Sequence, residues 1–365
     1  MLKIQEFCLK HPNDWEDRLS GDPYFLKIKK TEDLIQFNYD QINSPHNNDL
    51  CKEARGLILK NDFKIAAKAF NRFFNYGEGE ASEIDWASAL VEEKIDGTLS
   101  LVFSHKGNWV MRTRGGVDGE NKYDDSDESF PSLFWRTYEK IYNNKPDGLY
   151  IYWTYVFELA APENRLIQEY ESPRIVLTGM FHNFNGSEFS SGFVDRVAAD
   201  LKVERPKKYN LNNIEDVVAM AKSLKPSEEG YVVVDKFMNR LKVKNPAFFA
   251  MSTLRQSRNF YRLIATEAID DYVALFPYDK EECEAVTKKY SDGLRTIETQ
   301  YQEVLKHDDI ASACKEASKY PLKWILIQLY KNSIKEKVQD YIYELVKSSR
   351  QPEKTIKQIC EQKGD

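Results

Sequence analysis

The texture of the chain changes once, near residue 250, and that change limits the fold more than any composition figure. Ahead of it, β-branched and aromatic runs at residues 56–59, 99–103, 108–111, 149–153, 175–178 and 231–234 are bounded by Gly, Asn, Asp or Pro and read as strands. His105-Lys106-Gly107-Asn108 between two of them reads as a hairpin turn. Beyond about residue 255, Leu294, Ile297, Tyr301, Val304 and Leu305, and again Ile334, Val338, Tyr341, Ile342 and Leu345, recur at close to the helical period of about 3.6 residues. The expected architecture is α+β: an antiparallel-sheet domain over residues 1–250, then an all-helical C-terminal domain over residues 251–365. A length of 365 residues accommodates two such domains. No internal repeat or low-complexity linker separates them. The acidic insertion from Asp118 to Ser129, with Asp124, Asp125, Asp127 and Glu128, is expected to be a mobile surface loop.

With 42% hydrophobic and 30% charged residues, the chain has the balance of a soluble globular protein. No apolar run approaches the roughly 18 residues of a membrane span, so no membrane partner is expected. The first ten residues are charged and broken, unlike a signal peptide, which predicts a cytoplasmic location. Cys8, Cys51, Cys283, Cys314 and Cys360 form no C-x-x-C pair and are expected to be reduced and structural. A formal charge of −6 argues against a chain that grips nucleic acid with its whole surface, but leaves room for a local basic groove.

Chemistry is concentrated in charged residues that a buried strand would not favour. Lys94-Ile95-Asp96-Gly97 puts a lysine just before an Asp-Gly turn, where it can serve as a covalent nucleophile. Arg55 stands ahead of an apolar strand, Glu158 interrupts one, and Glu229 precedes another. Lys242 and Lys244 alternate with Leu241 and Val243, so a period of two turns both ammonium groups to one face. Taken singly, each fits a solvent-facing position or a structural ion pair on the wet face of an antiparallel sheet. Taken together, two lysines, an arginine and two glutamates around Lys94 make an anion site with carboxylates able to hold a divalent metal, the equipment of phosphoryl transfer.

The order Arg55-Gly56, Lys94-x-Asp96-Gly97, Phe157-Glu158, Glu229-Gly230-Tyr231-Val232 and Lys242-x-Lys244 resembles the motif series of covalent nucleotidyltransferases, which include ATP-dependent DNA and RNA ligases and capping enzymes. Within that superfamily it is most similar to the phage RNA ligase 1 family of tRNA-repair ligases. Phe37-Asn38-Tyr39, Arg72-Phe73-Phe74-Asn75, Arg112-Thr113-Arg114-Gly115 and the segment from Glu158 to Ile167 carry that choice. The likeness runs from about Tyr39 to Lys244. Where the family's best-known member has lysines, this chain has Arg72, Arg112 and Arg114, which replace a point charge by a planar fork and bear on substrate preference.

The resemblance implies a nucleotidyltransferase (adenylyltransferase) domain and three in-line steps. Lys94 attacks the α-phosphate of ATP to form lysyl-AMP, AMP passes to an RNA 5′-phosphate, and an RNA 3′-hydroxyl displaces AMP, with Mg²⁺ or Mn²⁺ as cofactor. By the same resemblance, Lys242 and Lys244 face the α-phosphate, with Lys244 also a candidate to assist pyrophosphate departure. Arg55 and Arg72 reach phosphate or ribose, Tyr39 lies beside the nucleotide, and Glu158 serves the ribose. Glu229 and Glu158 are metal candidates, with Glu229 orienting a metal-bound water, and Asp270 or Asp271 is a further metal candidate beside the reading of solvated helix acids. Arg112 and Arg114, alternating on one strand, are expected at RNA phosphates or pyrophosphate, or in an exposed hairpin. Asp96 is expected to shape the turn near the nucleophile.

Lys94 must be neutral to attack, and a free lysine has a pKa of about 10.4. Lys242, Lys244, a metal and partial burial are expected to push it down. The expected partner is RNA with 5′-phosphate and 3′-hydroxyl ends, nicked tRNA among the candidates, and the chain is expected to be a monomer. Rival readings are a DNA ligase or GTP-using capping enzyme, for which the helical pattern after Lys244 is unsuited, and a non-catalytic RNA-binding relative.

Overall fold

A computed structural model describes the chain apart from residues 118, 120, 121, 124, 125, 143–147, 165, 166, 169, 258 and 363–365 and the side chains of 256, 257 and 278. It divides into two compact units, Met1–Thr253 and Leu254–Asp365.

The first unit is built on three sheets. Strands β1 (Leu26–Lys30), β2 (Leu34–Tyr39), β3 (Leu57–Lys60) and β4 (Ile65–Ala67) form one antiparallel sheet in that order. After β5 (Phe74–Asn75) and β6 (Leu90–Glu93) come β7 (Thr98–His105), β8 (Asn108–Thr113), β9 (Trp153–Ala160) and β10 (Arg174–His182), of which the last four make a second antiparallel sheet in the order β10-β9-β7-β8. β11 (Lys208–Tyr209), β12 (Gly230–Val234) and β13 (Arg240–Lys244) complete a third, in the order β11-β6-β12-β13-β5. It is antiparallel except at its β5 edge, which pairs parallel to β13.

Alternation along two strands places the site. In β9, Tyr155, Phe157 and Leu159 pack with Leu133, Phe134 and Tyr138 of the helix Phe130–Tyr142, so the intervening Val156, Glu158 and Ala160 turn to the opposite face. In the third sheet, Tyr231, Val233, Leu241 and Val243 pack on Val217 and Ala221 of the helix Ile214–Ser223. Register aligns Glu92, Val232 and Lys242 across three strands on the other face, with Arg240 and Lys244 two residues either side of Lys242. The apolar halves of two amphipathic strand patterns thus leave their charged halves to line a cleft.

The hairpin between β7 and β8 turns on Lys106 and Gly107, both with positive φ (49° and 79°), the conformation of a two-residue hairpin loop. Two expected elements differ, and a third lies partly outside the described residues. Of residues 149–153 only Trp153 joins a strand; the Tyr150 N–H is held by Tyr155 Oη at 2.7 Å, and Tyr150, Ile151 and Tyr152 lie exposed in a turn. Ile334 closes the helix Lys323–Lys331 through its N–H to Leu329 O rather than entering the helix Val338–Lys347, because Ser333 and Lys337 adopt positive φ and break the run. Of the acidic insertion, Asp118, Asp124 and Asp125 lie outside the described residues, while Glu128 is bound by Arg136, Tyr123 and Ser132.

The second unit is helical. The long helix Lys280–Val304 buries Tyr290, Gly293, Leu294, Ile297, Tyr301 and Val304 along one stripe. They join Ile325, Leu326, Leu329, Ile342, Val346, Ile356 and Ile359 in one apolar core. Gly293 is where the helix Pro352–Cys360 comes closest, since a Cβ there would stand 2.2 Å from Ile359 O. No helix among the described residues is long and apolar enough to cross a membrane. The cysteines are all free, with Cys8, Cys51 and Cys283 buried.

Candidate active site

A cleft of about 200 Å³ is lined by Lys94, Arg55, Glu158, Glu229, Lys242 and Lys244, six of the residues that the sequence singles out. They come from five separate stretches of chain, brought together by the two charged sheet faces. Lys94 follows β6 and its N–H donates to Gly230 O at 2.9 Å, which seats its side chain beside Glu229. Lys94 Nζ donates to Glu229 Oε2 at 2.6 Å, and Lys244 Nζ lies 3.4 Å from the other carboxylate oxygen. Lys242 Nζ stands 4.6 Å from the centre of the Phe73 ring. Arg55 lies 5.7 Å over the same ring, and its buried Nη1 has no hydrogen-bond partner among the described residues.

The electrostatics correct one expectation. Burial acts to lower the pKa of Lys94, but Glu229, Glu158 and Asp96 outweigh it and hold the amine above its ordinary value, so the candidate nucleophile rests protonated. It is Lys242 that is pushed down, to about 7, by burial with Arg55, Lys94 and Lys244 close by. Glu158 rises to about 7, mainly through burial, although Lys94 and Arg55 pull it the other way. Asp96 rises to about 6 for the same first reason.

The glycine after Asp96 has a role different from a left-handed turn: a Cβ on Gly97 would lie 2.7 Å from Glu158 Cγ and 2.8 Å from Leu159 O. Gly97 lets the Lys94–Asp96 loop press against β9. Asp96 braces that loop, its carboxylate accepting from the Gln168 N–H at 2.9 Å and its carbonyl from Tyr170 Oη at 3.0 Å. Gly230 has φ +133° and would place a Cβ 2.2 Å from Val243 O, so only glycine fits between Glu229 and β13.

The remaining candidates separate. Tyr39, Arg72 and Arg114 form a stack of their own: Arg72 lies 4.2 Å over the Tyr39 ring, and Arg114 Nη1 donates to Tyr39 Oη at 3.1 Å. Arg112 and Arg114 do not alternate on one strand, because β8 ends at Thr113. Gln36 and Asn38 of β2 instead hold the Thr113 and Arg114 carbonyls. Arg112 Nε and Nη1 donate to the Val117 and Met111 carbonyls, bracing the loop after its strand. Asp270 and Asp271 belong to the second unit, exposed on the first turn of the helix Ile269–Leu275, where acids favour the helix dipole. Residues the sequence reading passed over include Phe70, Glu92, Glu93 and Arg240, which also line the cleft, together with Phe73. Extending the Lys242-x-Lys244 alternation back by two would have found Arg240.

Among the described residues no three His, Cys, Asp or Glu side chains form a protein-only metal cage. The carboxylates of Glu158 and Glu229 in one cleft do suit a cation such as Mg²⁺, which keeps several waters and takes one or two carboxylates plus substrate phosphates.

A family model described as RNA ligase matches residues 53–256, more than half of the chain. The chain belongs to the RNA ligase family. It is 29% identical over 304 residues to a protein named as a bifunctional polynucleotide kinase/RNA ligase in Autographa californica nuclear polyhedrosis virus, covering 76% of this chain and 42% of that relative's length. It is 24% identical over 376 residues to an RNA ligase of Rhodothermus phage RM378, covering 82% and 84% of the two chains. A solved archaeal ATP-dependent RNA ligase aligns over 79% of this chain and 83% of its own, at a TM-score of 0.46 and 11% identity.

Proposed function

We propose that this RNA ligase uses ATP, carries AMP on Lys94, and joins RNA 5′-phosphate to RNA 3′-hydroxyl ends. The observation that carries the reading is the meeting of Lys94, Glu229, Glu158, Lys242, Lys244 and Arg55 in a single cleft. In the first step the Lys94 nitrogen forms a bond to the α-phosphorus as the bond to the β-phosphate oxygen breaks and pyrophosphate leaves. The amine must first lose a proton, and Glu229 Oε2 at 2.6 Å is the acceptor in place. Lys242, with a pKa of about 7, exchanges a proton readily near neutrality and stands ready to donate one towards departing phosphate. Arg55, Lys242 and Lys244 meet the negative charge of the phosphates without reorganising. Glu158 and Glu229 would hold a divalent ion, which would supply charge neutralisation on the phosphates. Transfer of AMP to the RNA 5′-phosphate and its displacement by the 3′-hydroxyl reuse the same cations.

Nicked tRNA is the substrate class suggested by the family resemblance, and a ligation panel of nicked stem-loops against plain single strands tests it. The covalent step is tested with α-labelled ATP and magnesium. A band that survives denaturing electrophoresis in the wild type and vanishes in Lys94→Ala is expected; an equal band in the variant sinks the proposal. Parallel labelling with GTP separates the capping-enzyme reading. A protein that binds RNA yet takes no label is the non-catalytic relative.

A further inference from the structure

A second cavity of about 430 Å³ lies in the first unit, sharing Phe73 and Arg240 with the cleft but lined otherwise by different residues. Its charged lining is Lys52, Lys68, Arg72 and Arg240 against one carboxylate, Glu188, and that carboxylate is held by both terminal nitrogens of Arg240. Lys68 is 4% exposed, and its Nζ donates to neutral acceptors, Asn71 Oδ1 at 2.7 Å and Ala69 O at 3.1 Å. Glu53 and Glu188 act on this ammonium group through space and the Phe181 ring lies 4.8 Å away, but among the described residues no carboxylate forms an ion pair with it, which leaves its charge free to meet an anion in the cavity. Arg72 adds a second sign: Nη2 meets His46 Nε2 at 2.9 Å, while its buried Nη1 has no partner among the described residues. Buried donors seldom lack an acceptor, and here the excess of donors and of positive charge falls in one cavity.

We infer that this cavity is a phosphate-binding site distinct from the nucleotide cleft, with Lys68 as its central cation and a phosphate of the RNA substrate as its occupant. The choice of RNA rests on the ligase reading; the phosphate chemistry rests on the cavity alone. Shared Phe73 and Arg240 put the site next to the cleft, so a phosphate here positions an RNA end for the adenylyl group. β5 links the two: it begins one residue after Phe73, and its Asn75 pairs with Lys242.

The test compares full-length wild type, Lys68→Met, Lys68→Arg and Lys52→Ala. Lys68→Met is expected to leave lysyl-AMP labelling within about twofold, to weaken binding of a 5′-phosphorylated oligoribonucleotide about tenfold at low salt, and to reduce the slope of log affinity against log salt by about 0.7. Lys68→Arg is expected to retain both. An equal loss with a 5′-hydroxyl oligonucleotide assigns the site to an internal phosphodiester; a loss confined to the phosphorylated one assigns it to the terminus. Calorimetry with inorganic pyrophosphate supplies the other source: weakened pyrophosphate binding with unchanged RNA binding keeps a phosphate site but overturns RNA as its occupant. Unchanged affinity for both in Lys68→Met and Lys52→Ala overturns the site altogether. Should Lys68→Met fail to fold, Lys52→Ala decides, since its side chain is 29% exposed and pairs only loosely with Asp49, 3.7 Å away. If wild type takes no label from ATP, the ligase reading falls while the pyrophosphate measurement still tests the cavity.

Discussion

The two units treat charge in opposite ways. The first buries it: Lys94 and Glu229 have side chains 20% and 8% exposed and face a single cleft with Glu158, Lys242 and Arg55. The second keeps charge outside an apolar core; pairs such as Arg295–Asp292 and Lys306–Glu303 lie on its surface. Its exception among the described residues is Asp279, buried against the hydroxyl of Tyr272. A protein gains little stability from desolvated charges, so a cluster of them marks the place where binding or chemistry repays the cost. The helical unit illustrates the ordinary condition from which the cleft departs.

Removing the proposed nucleophile should give the largest effect. Lys94→Ala is expected to lower ligation by about a thousandfold or more, read as loss of the labelled band, with the fold intact by circular dichroism. In the helical unit Ile297→Ala should do the reverse. At 0% exposure its loss leaves a cavity and is expected to cost about 2–5 kcal/mol by denaturant titration, while lysyl-AMP formation persists below the melting transition. If that variant abolished adenylylation in folded protein, the contrast between the units would fail.

Next comes a trade between stability and function at Lys242. Its folded pKa, about 7, lies below its ordinary value, so keeping it charged in the fold is unfavourable in full below pH 7, less so as pH rises, and not at all once the unfolded lysine is neutral too. Lys242→Met is therefore expected to raise the melting temperature at pH 6 by more than at pH 9, while losing about a hundredfold in adenylylation. A greater gain at pH 9 would contradict the assigned direction. Since Lys94 rests protonated while Lys242 acts in its charged form, wild-type labelling should pass through a maximum with pH, and the residual labelling of Lys242→Met should only rise; residual labelling that falls would disprove the need to deprotonate Lys94. The smallest effect is expected at the surface, where Arg295→Ala should change stability by less than about 0.5 kcal/mol.

The antiparallel sheets, the helical C-terminal region and most of the charged cleft residues were legible in the sequence, the first two through local spacing and the last as charges that a buried strand would not favour. Period two in Leu241-Lys242-Val243-Lys244 puts apolar residues on the helix-covered face and ammonium groups on the other whatever the rest of the chain does. The alternation predicted for Arg112 and Arg114 failed because strand length is a tertiary matter: β2 captures the Thr113 and Arg114 carbonyls and the ladder stops. Ile334 was misplaced because its periodicity is real but two positive-φ residues interrupt the helix.

By itself the sequence determined which residue types alternate with which, and so the two domains, the charged strand faces and the identity of Lys94 as a candidate nucleophile. Only the tertiary structure decided the state of that lysine. Its pKa depends on which charges lie within a few ångströms, and folding puts Glu229, Glu158 and Asp96 nearer in effect than Lys242 and Lys244. Tertiary packing likewise assigned Gly97 to close contact with Glu158, moved Arg112 to its own loop, and gathered Lys52, Lys68 and Arg72 around one cavity. Spacing along a chain is one-dimensional and survives any fold, whereas electrostatic potential and steric contact depend on distances that exist only after the strands have paired.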